Sequence, residues 1–207
     1  MNSRLYRAGL LLTFMTAAMM FSGYLRSQSL SKNELLSALG KGGNVLVFRH
    51  ASSPREVPDA KTANADNTNR ERQLDEAGRT AATMMGKAMR DLKIPIGDVF
   101  SSPTYRALET VRLALWPNVT PTPELGDGGQ SMQGISDAQG SWLQKKVTEM
   151  PRSANTILVT HMPNLTRAFP QVSGVADGEV LIFHPDGKGN APLIGRIKIE
   201  EWPHLVP

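Results

Sequence analysis

The sequence predicts a three-layer α/β/α sandwich built on a mostly parallel central sheet, and three observations predict it. Val45–Phe48 and Ile157–Val159 are short, uniformly apolar, β-branched runs. They are too brief for helices and lack the alternation of a strand with one wet face, so each is expected to be a buried parallel strand. Between them, Ala77, Ala81, Met84, Met85, Ala88, Met89 and Leu92 recur at helical spacing over Asp75–Leu92.

The chain begins with an apolar stretch. Arg4 and Arg7 precede 18 uncharged residues, densest at Leu10–Phe21, before Arg26. That pattern predicts an N-terminal hydrophobic helix over residues 1–28, acting as a signal peptide or, preferably, an uncleaved membrane anchor. Ser27-Gln28-Ser29 is a mediocre cleavage site. Either role puts residues 29–207 beyond the membrane, because flanking arginines stay in the cytoplasm. The expected location is periplasmic, anchored to the inner membrane or secreted after cleavage.

The other elements follow in order. Ser31–Leu39 is expected to be a short helix ended by Gly42-Gly43, and Ser52–Arg70 a polar loop of functional length. Asp98–Phe100 is expected to be a strand. Ser102 before Pro103 predicts an N-cap and first helical residue, with the helix running Tyr105–Leu115. Ser136–Met150 is expected to be helical. Glu179–Phe183 and Leu193–Ile199 are expected to close the sheet around the turn at Pro185–Asn190. Met84, Met85 and Met89 are expected to fill the core.

Charge excludes one class of function. Of the formal net charge of +4, +3 comes from Arg4, Arg7 and Arg26, which leaves +1 for residues 29–207. The basic sequence pI therefore does not indicate nucleic-acid binding. The absence of cysteine suits an exported domain without disulfides and a cytosolic one equally.

The apolar runs end on Arg49-His50 and Thr160-His161. In parallel sheets ligands bind beyond the carboxyl ends of the strands, so both histidines belong to one crevice, with Arg49 beside them. Arg106 is placed about one turn into a helix whose amino end favours anions. Two arginines and two histidines around a helix start suit a phosphoryl group, since the guanidinium fork matches its oxygens. Ser52 and Ser53, after His50, are further candidates for hydrogen bonds to it. His184 and His204 stand in no such context.

Phe48-Arg49-His50-Ala51, Ser101-Ser102-Pro103 with Arg106 and Thr110, Thr160-His161, and the intermediate Arg72–Gly78 resemble, in order, the signatures of the histidine phosphatase superfamily. The resemblance covers about residues 44 to 200 and implies a phosphoglycerate-mutase-like fold for a domain at 29–207. It implies a metal-independent phosphomonoester hydrolase that needs no cofactor. His50 would be the nucleophile, forming a phosphohistidine, while Arg49, Arg106 and His161 bind the phosphoryl oxygens. The leaving-group acid would come from Glu124–Gly129, with Asp127 better placed than Glu124.

The short core, Met162-Pro163-Asn164 after the second histidine, the N-terminal segment and Asp177-Gly178-Glu179-Val180 resemble the exported lipopolysaccharide core heptose-phosphate phosphatase group. The implied substrate is an envelope sugar phosphate, the implied membrane contact is the N-terminal segment, and no nucleic acid is implied. Two alternatives remain: a phosphohistidine-protein phosphatase, and a membrane-tethered, catalytically silent phosphate-binding module.

Overall fold

The computed structural model describes residues 30–127 and 135–206. Residues 1–29, which include the expected helix over 1–28, and residues 128–134 lie outside them, and among the described residues no helix is long and apolar enough to cross a membrane.

Eleven main elements follow in chain order: α1 (Lys32–Lys41), β1 (Val45–Arg49), α2 (Glu76–Asp91), β2 (Ile96–Ser101), α3 (Tyr105–Ala114), β3 (Val119–Pro121), α4 (Asp137–Lys146), β4 (Asn155–Thr160), α5 (Met162–Ala168), β5 (Val180–Phe183) and β6 (Leu193–Ile197). Short 3₁₀ turns cover Pro123–Leu125 and Ile199–His204. The helix starts are chemically defined. Ser31 and Ser136 each cap a helix, and their backbone N–H groups donate in return to the side-chain oxygens of Glu34 and Gln139, while the Asp75 carboxylate accepts from Gly78 N.

The strands lie in the order β3-β2-β4-β1-β5-β6. The β3–β2, β2–β4 and β4–β1 pairs are parallel, and the closing β5–β6 hairpin joins β1 antiparallel. Alternate side chains separate the faces. Leu46, Phe48, Ile157 and Val159 pack with α1, α2 and α3, whereas Val45, Val47 and Leu158 pack with α4 and α5. This is the three-layer arrangement expected from the sequence.

Several boundaries differ from expectation. The helix at Ser136 stops at Lys146, and the final strand stops at Ile197 because Ile199–His204 folds as a 3₁₀ turn over α2. Met85 and Met89 are fully buried, but Met84 is 48% exposed, on the solvent side of α2. Pro103 lies outside α3, whose N-cap is Thr104, so Arg106 is the second residue of the helix and not a turn further in.

Packing of α2 on α3 depends on Gly86. A Cβ there would stand 2.2 Å from the Ala114 carbonyl oxygen, which is helix backbone and cannot rotate away. Gly86→Ala is expected to cost about 1–3 kcal/mol through overpacking, read as a lower melting temperature or denaturant midpoint.

Candidate active site

Parallel register sets Arg49 opposite Thr160, so the next residues, His50 and His161, leave adjacent strands side by side. His50 N donates to Thr160 O (3.0 Å), and the two imidazole centroids are 5.1 Å apart. On the other side of β4, Ser102 N donates to Val159 O (2.9 Å). Three consecutive strand ends thus present Ser102, His161 and His50, and the chain turns from Ser102 into α3 to bring Arg106 across them.

Arg106 is 5% exposed and joins the cluster. Its Nε donates to His50 Nε2 (3.2 Å), and its Nη2 donates to His161 Nδ1 (3.1 Å) and to the Asp127 carboxylate. Asp127 Oδ2 is also 3.5 Å from His161 Nδ1. The hydrogen bonds assign the tautomers. His50 carries its proton on Nδ1, donating to Ala51 O (2.8 Å), and leaves Nε2 as a lone pair. His161 carries its proton on Nε2, donating to Ser102 Oγ (2.8 Å).

Electrostatics keep both rings neutral. Burial, then His161 and the Arg106 and Arg49 cations, push His50 well below its ordinary value, with the Ala51 carbonyl opposing. Burial, then Arg106, Arg72 and Arg49, do the same to His161. Burial also lowers the Arg106 guanidinium, opposed mainly by Asp127. Below about pH 6.5 the unfolded chain therefore takes up protons that the folded chain refuses, so stability falls as pH falls. With two such histidines the slope is expected to approach that of two protons, roughly 3 kcal/mol per pH unit. Denaturant titrations on either side of that pH check it; a pH-independent midpoint would contradict neutral buried rings.

The remaining sequence candidates separate. Arg49 ends β1, but its Nη1 donates to Val175 O (2.8 Å) and its Nη2 pairs with Asp177 (2.6 Å). Ser52 Oγ donates to Asp75 Oδ2 (2.6 Å), which fastens the loop to the start of α2. Ser53 Oγ likewise donates to Gln73 O (2.8 Å). Glu124 lies in the Pro123–Leu125 turn with its carbonyl accepting from Asn164 Nδ2 (3.2 Å), so of the two acid candidates Asp127 is the one shown reaching the histidines. His184 Nδ1 pairs with Asn44 Oδ1 (2.9 Å), before β1, at the opposite end of the strand from His50.

Other residues of the site were not assigned roles from sequence. Thr110 Oγ1 accepts from Ala51 N (3.1 Å) and donates to Arg106 O (2.9 Å), tying the histidine loop to α3. The Glu71 carboxylate accepts from Tyr105 N (2.9 Å), so a protein carboxylate already takes a donor at the helix end expected to attract anions. Glu109, 2% exposed, accepts from Leu74 N (2.8 Å) and Asn64 Nδ2 (2.9 Å), holding the Ser52–Leu74 loop against α3. Arg72 adds a cation that acts on Arg106 and His161; its sequence signal is its place at the head of the Arg72–Gly78 match, which gave it no role. Asn164 Nδ2 and Gln139 Nε2 both donate to Gly126 O (2.9 Å each), fixing the chain immediately before Asp127. Among the described residues no three His, Cys, Asp or Glu side chains converge as a metal ion would need.

No protein-family model matches the sequence, and no curated protein matches it. Solved structures do. The chain is similar to the protein histidine phosphatase SixA complexed with tungstate at 17% identity and a TM-score of 0.57, covering 76% of this chain and 98% of that one. A candidate α-ribazole-5′-phosphate phosphatase from Escherichia coli is 17% identical with a TM-score of 0.52, covering 73% and 95%. A phosphoserine phosphatase from Entamoeba histolytica in complex with 3-phosphoglyceric acid is 12% identical with a TM-score of 0.50, covering 74% and 95%. The chain has the fold of these phosphatases.

Proposed function

We propose that the protein is a phosphomonoester hydrolase working through a phosphohistidine at His50. One observation carries this reading: a buried imidazole with Nδ1–H held by Ala51 O presents its Nε2 lone pair beside Arg106, and His161 flanks both. A phosphoryl group entering this cluster exchanges the Asp127 carboxylate on Arg106 Nη2 for one of its own oxygens. His50 Nε2 then attacks phosphorus; the N–P bond forms as the P–O bond to the leaving group breaks. Arg106 and His161 bear the charge on the equatorial oxygens. A substrate arriving as its monoanion brings a proton; Asp127, displaced from Arg106 Nη2, takes up that proton and passes it to the departing oxygen, and in the second step it accepts a proton from the attacking water. Water attacks the phosphohistidine, the N–P bond breaks, and phosphate leaves.

The test of this scheme is a single-turnover quench with radiolabelled phosphomonoester and the full chain. Label that is stable to alkali, labile to acid and mapped to His50 is the expected result. Phosphate release without such a label would overturn the covalent route. Tight vanadate binding with no release at all would leave only the silent binding module.

Asp127→Asn is expected to slow alkyl and sugar phosphates far more than p-nitrophenyl phosphate, whose leaving group needs no proton. Equal slowing of both would remove Asp127 from the acid role.

For the substrate we propose an envelope sugar phosphate, such as a lipopolysaccharide core heptose phosphate, met on the periplasmic side. The apolar segment after Arg4 and Arg7 and the Asp177-Gly178-Glu179-Val180 match support it. The similarity to SixA favours a second reading, a phosphohistidine-protein phosphatase. Relative kcat/KM on a heptose phosphate and on a phosphohistidine protein separates the two.

A further inference from the structure

We propose that Asp177 is a positioning residue: it fixes the Arg49 guanidinium so that the unpaired Nε–H is left to meet a phosphoryl oxygen, and it acts on the reaction only through Arg49. The inference rests on the phosphatase reading above and extends it to a residue outside the histidine cluster.

The guanidinium is held at two of its three nitrogens. Nη1 donates to Val175 O (2.8 Å) and Nη2 forms an ion pair with Asp177 Oδ1 (2.6 Å) that lacks hydrogen-bond geometry, while Nε is buried and has no hydrogen-bond partner. A buried donor on a charged group left unpaired costs about 1–3 kcal/mol or more, and native structures keep such groups for a reason. Arg49 directly precedes His50 and stands opposite Thr160, the residue before His161, so the orphan donor belongs to the side chain at the strand end that bears both histidines; its charge also lowers both imidazoles.

Stability does not account for the Asp177 contact. The Arg49 and Asp177 side chains are 26% and 37% exposed, and pairs exposed to that degree contribute about 0–1 kcal/mol. What the contact does supply is position: with the directional bond from Nη1 to Val175 O, the Asp177 charge pins the fork at a second point, where an arginine free to turn about its side-chain torsions would present it in many orientations.

The mount that carries Asp177 is itself fastened to the site. Gly178 N donates to His50 O (2.9 Å), and Arg49 N donates to Glu179 O (3.1 Å). Glu179, 3% exposed, accepts from Ala176 N and from Arg196 Nε, each at 2.7 Å. Arg196 completes the clamp by donating to Ser173 O (3.2 Å) and Gly174 O (3.1 Å). Gly178 has φ +71°, and a Cβ there would lie 2.4 Å from Ile199 Cδ1, so the turn that delivers Asp177 requires glycine. The segment that presents the carboxylate is therefore registered on the backbone of Arg49 and His50.

A double-mutant cycle tests the proposal with the full chain, reading vanadate affinity and kcat/KM on p-nitrophenyl phosphate. Asp177→Ala is expected to weaken both about tenfold, the equivalent of about 1.4 kcal/mol. In an Arg49→Ala background the same change should move either quantity less than about twofold, because its only route to the reaction is gone. Equal tenfold losses in both backgrounds overturn the proposal, as does an Asp177→Ala protein with unchanged vanadate affinity. If Asp177→Ala does not fold, the isosteric Asp177→Asn is carried through the same cycle. An active wild type with an additive cycle rejects the positioning role alone, whereas a wild type that neither binds vanadate nor releases phosphate rejects the phosphatase reading together with it.

Discussion

His50→Ala is expected to lose at least about a thousandfold in turnover of p-nitrophenyl phosphate, the scale on which enzymes respond to losing a covalent nucleophile. The size follows from the lack of a substitute within the cluster. His161 is the other imidazole there, but its Nδ1 already accepts from Arg106 and its Nε2 bears the proton given to Ser102. Asp127 is held by Arg106. The wild-type rate is expected to survive EDTA, as the metal-independent scheme requires. The variant should remain folded and bind vanadate, since Arg106 and His161 are untouched. Wild-type-like turnover by His50→Ala would reject the covalent route outright.

Arg106→Ala should have the next largest effect, about a hundredfold to a thousandfold in kcat, or at least about 2.7 kcal/mol of transition-state stabilisation. One side chain here performs three tasks: it orders the lone pair of His50, contacts His161 and neutralises Asp127. Removing it also removes one of the charges that keep His161 neutral, so the pH profile is expected to shift along with the rate. Arg106→Lys should recover little, because one compact ammonium cannot span two histidines and a carboxylate as a planar fork does. Recovery of most activity by lysine would mean that charge alone matters at this position.

The parts legible from sequence were those written in short-range patterns. β1 and β4 were visible as apolar runs because a strand covered on both faces has no polar side to hide it, and the His-bearing ends followed from the parallel arrangement. The helices beginning near Ser31 and Asp75 were likewise local patterns, whereas the capping bonds at those two residues come from the structure. β3, three exposed residues ending in proline at the sheet edge, left no pattern to read. Arg49 and Ser52 show the limit on side chains. Their residue types suited a phosphate, but where each points is set by Asp177 and Asp75, 128 and 23 positions away. The same limit hid Arg72 and Thr110, whose importance depends on which loop crosses which helix.

The strand order carries a consequence for how the protein is made. β4 sits between β1 and β2, yet it is synthesised last of the three, after residue 154. A nascent chain that already contains His50 and Arg106 still lacks the strand that spaces β1 from β2, the strand leading into α3. Until then two parallel strands have open inner edges and no partner for them. Such long-range pairings form late and slowly, and exposed strand edges invite association with other chains. The cluster of His50, Arg106 and His161 is therefore withheld until four of the six strands are present, and the half-made chain keeps open strand edges until then.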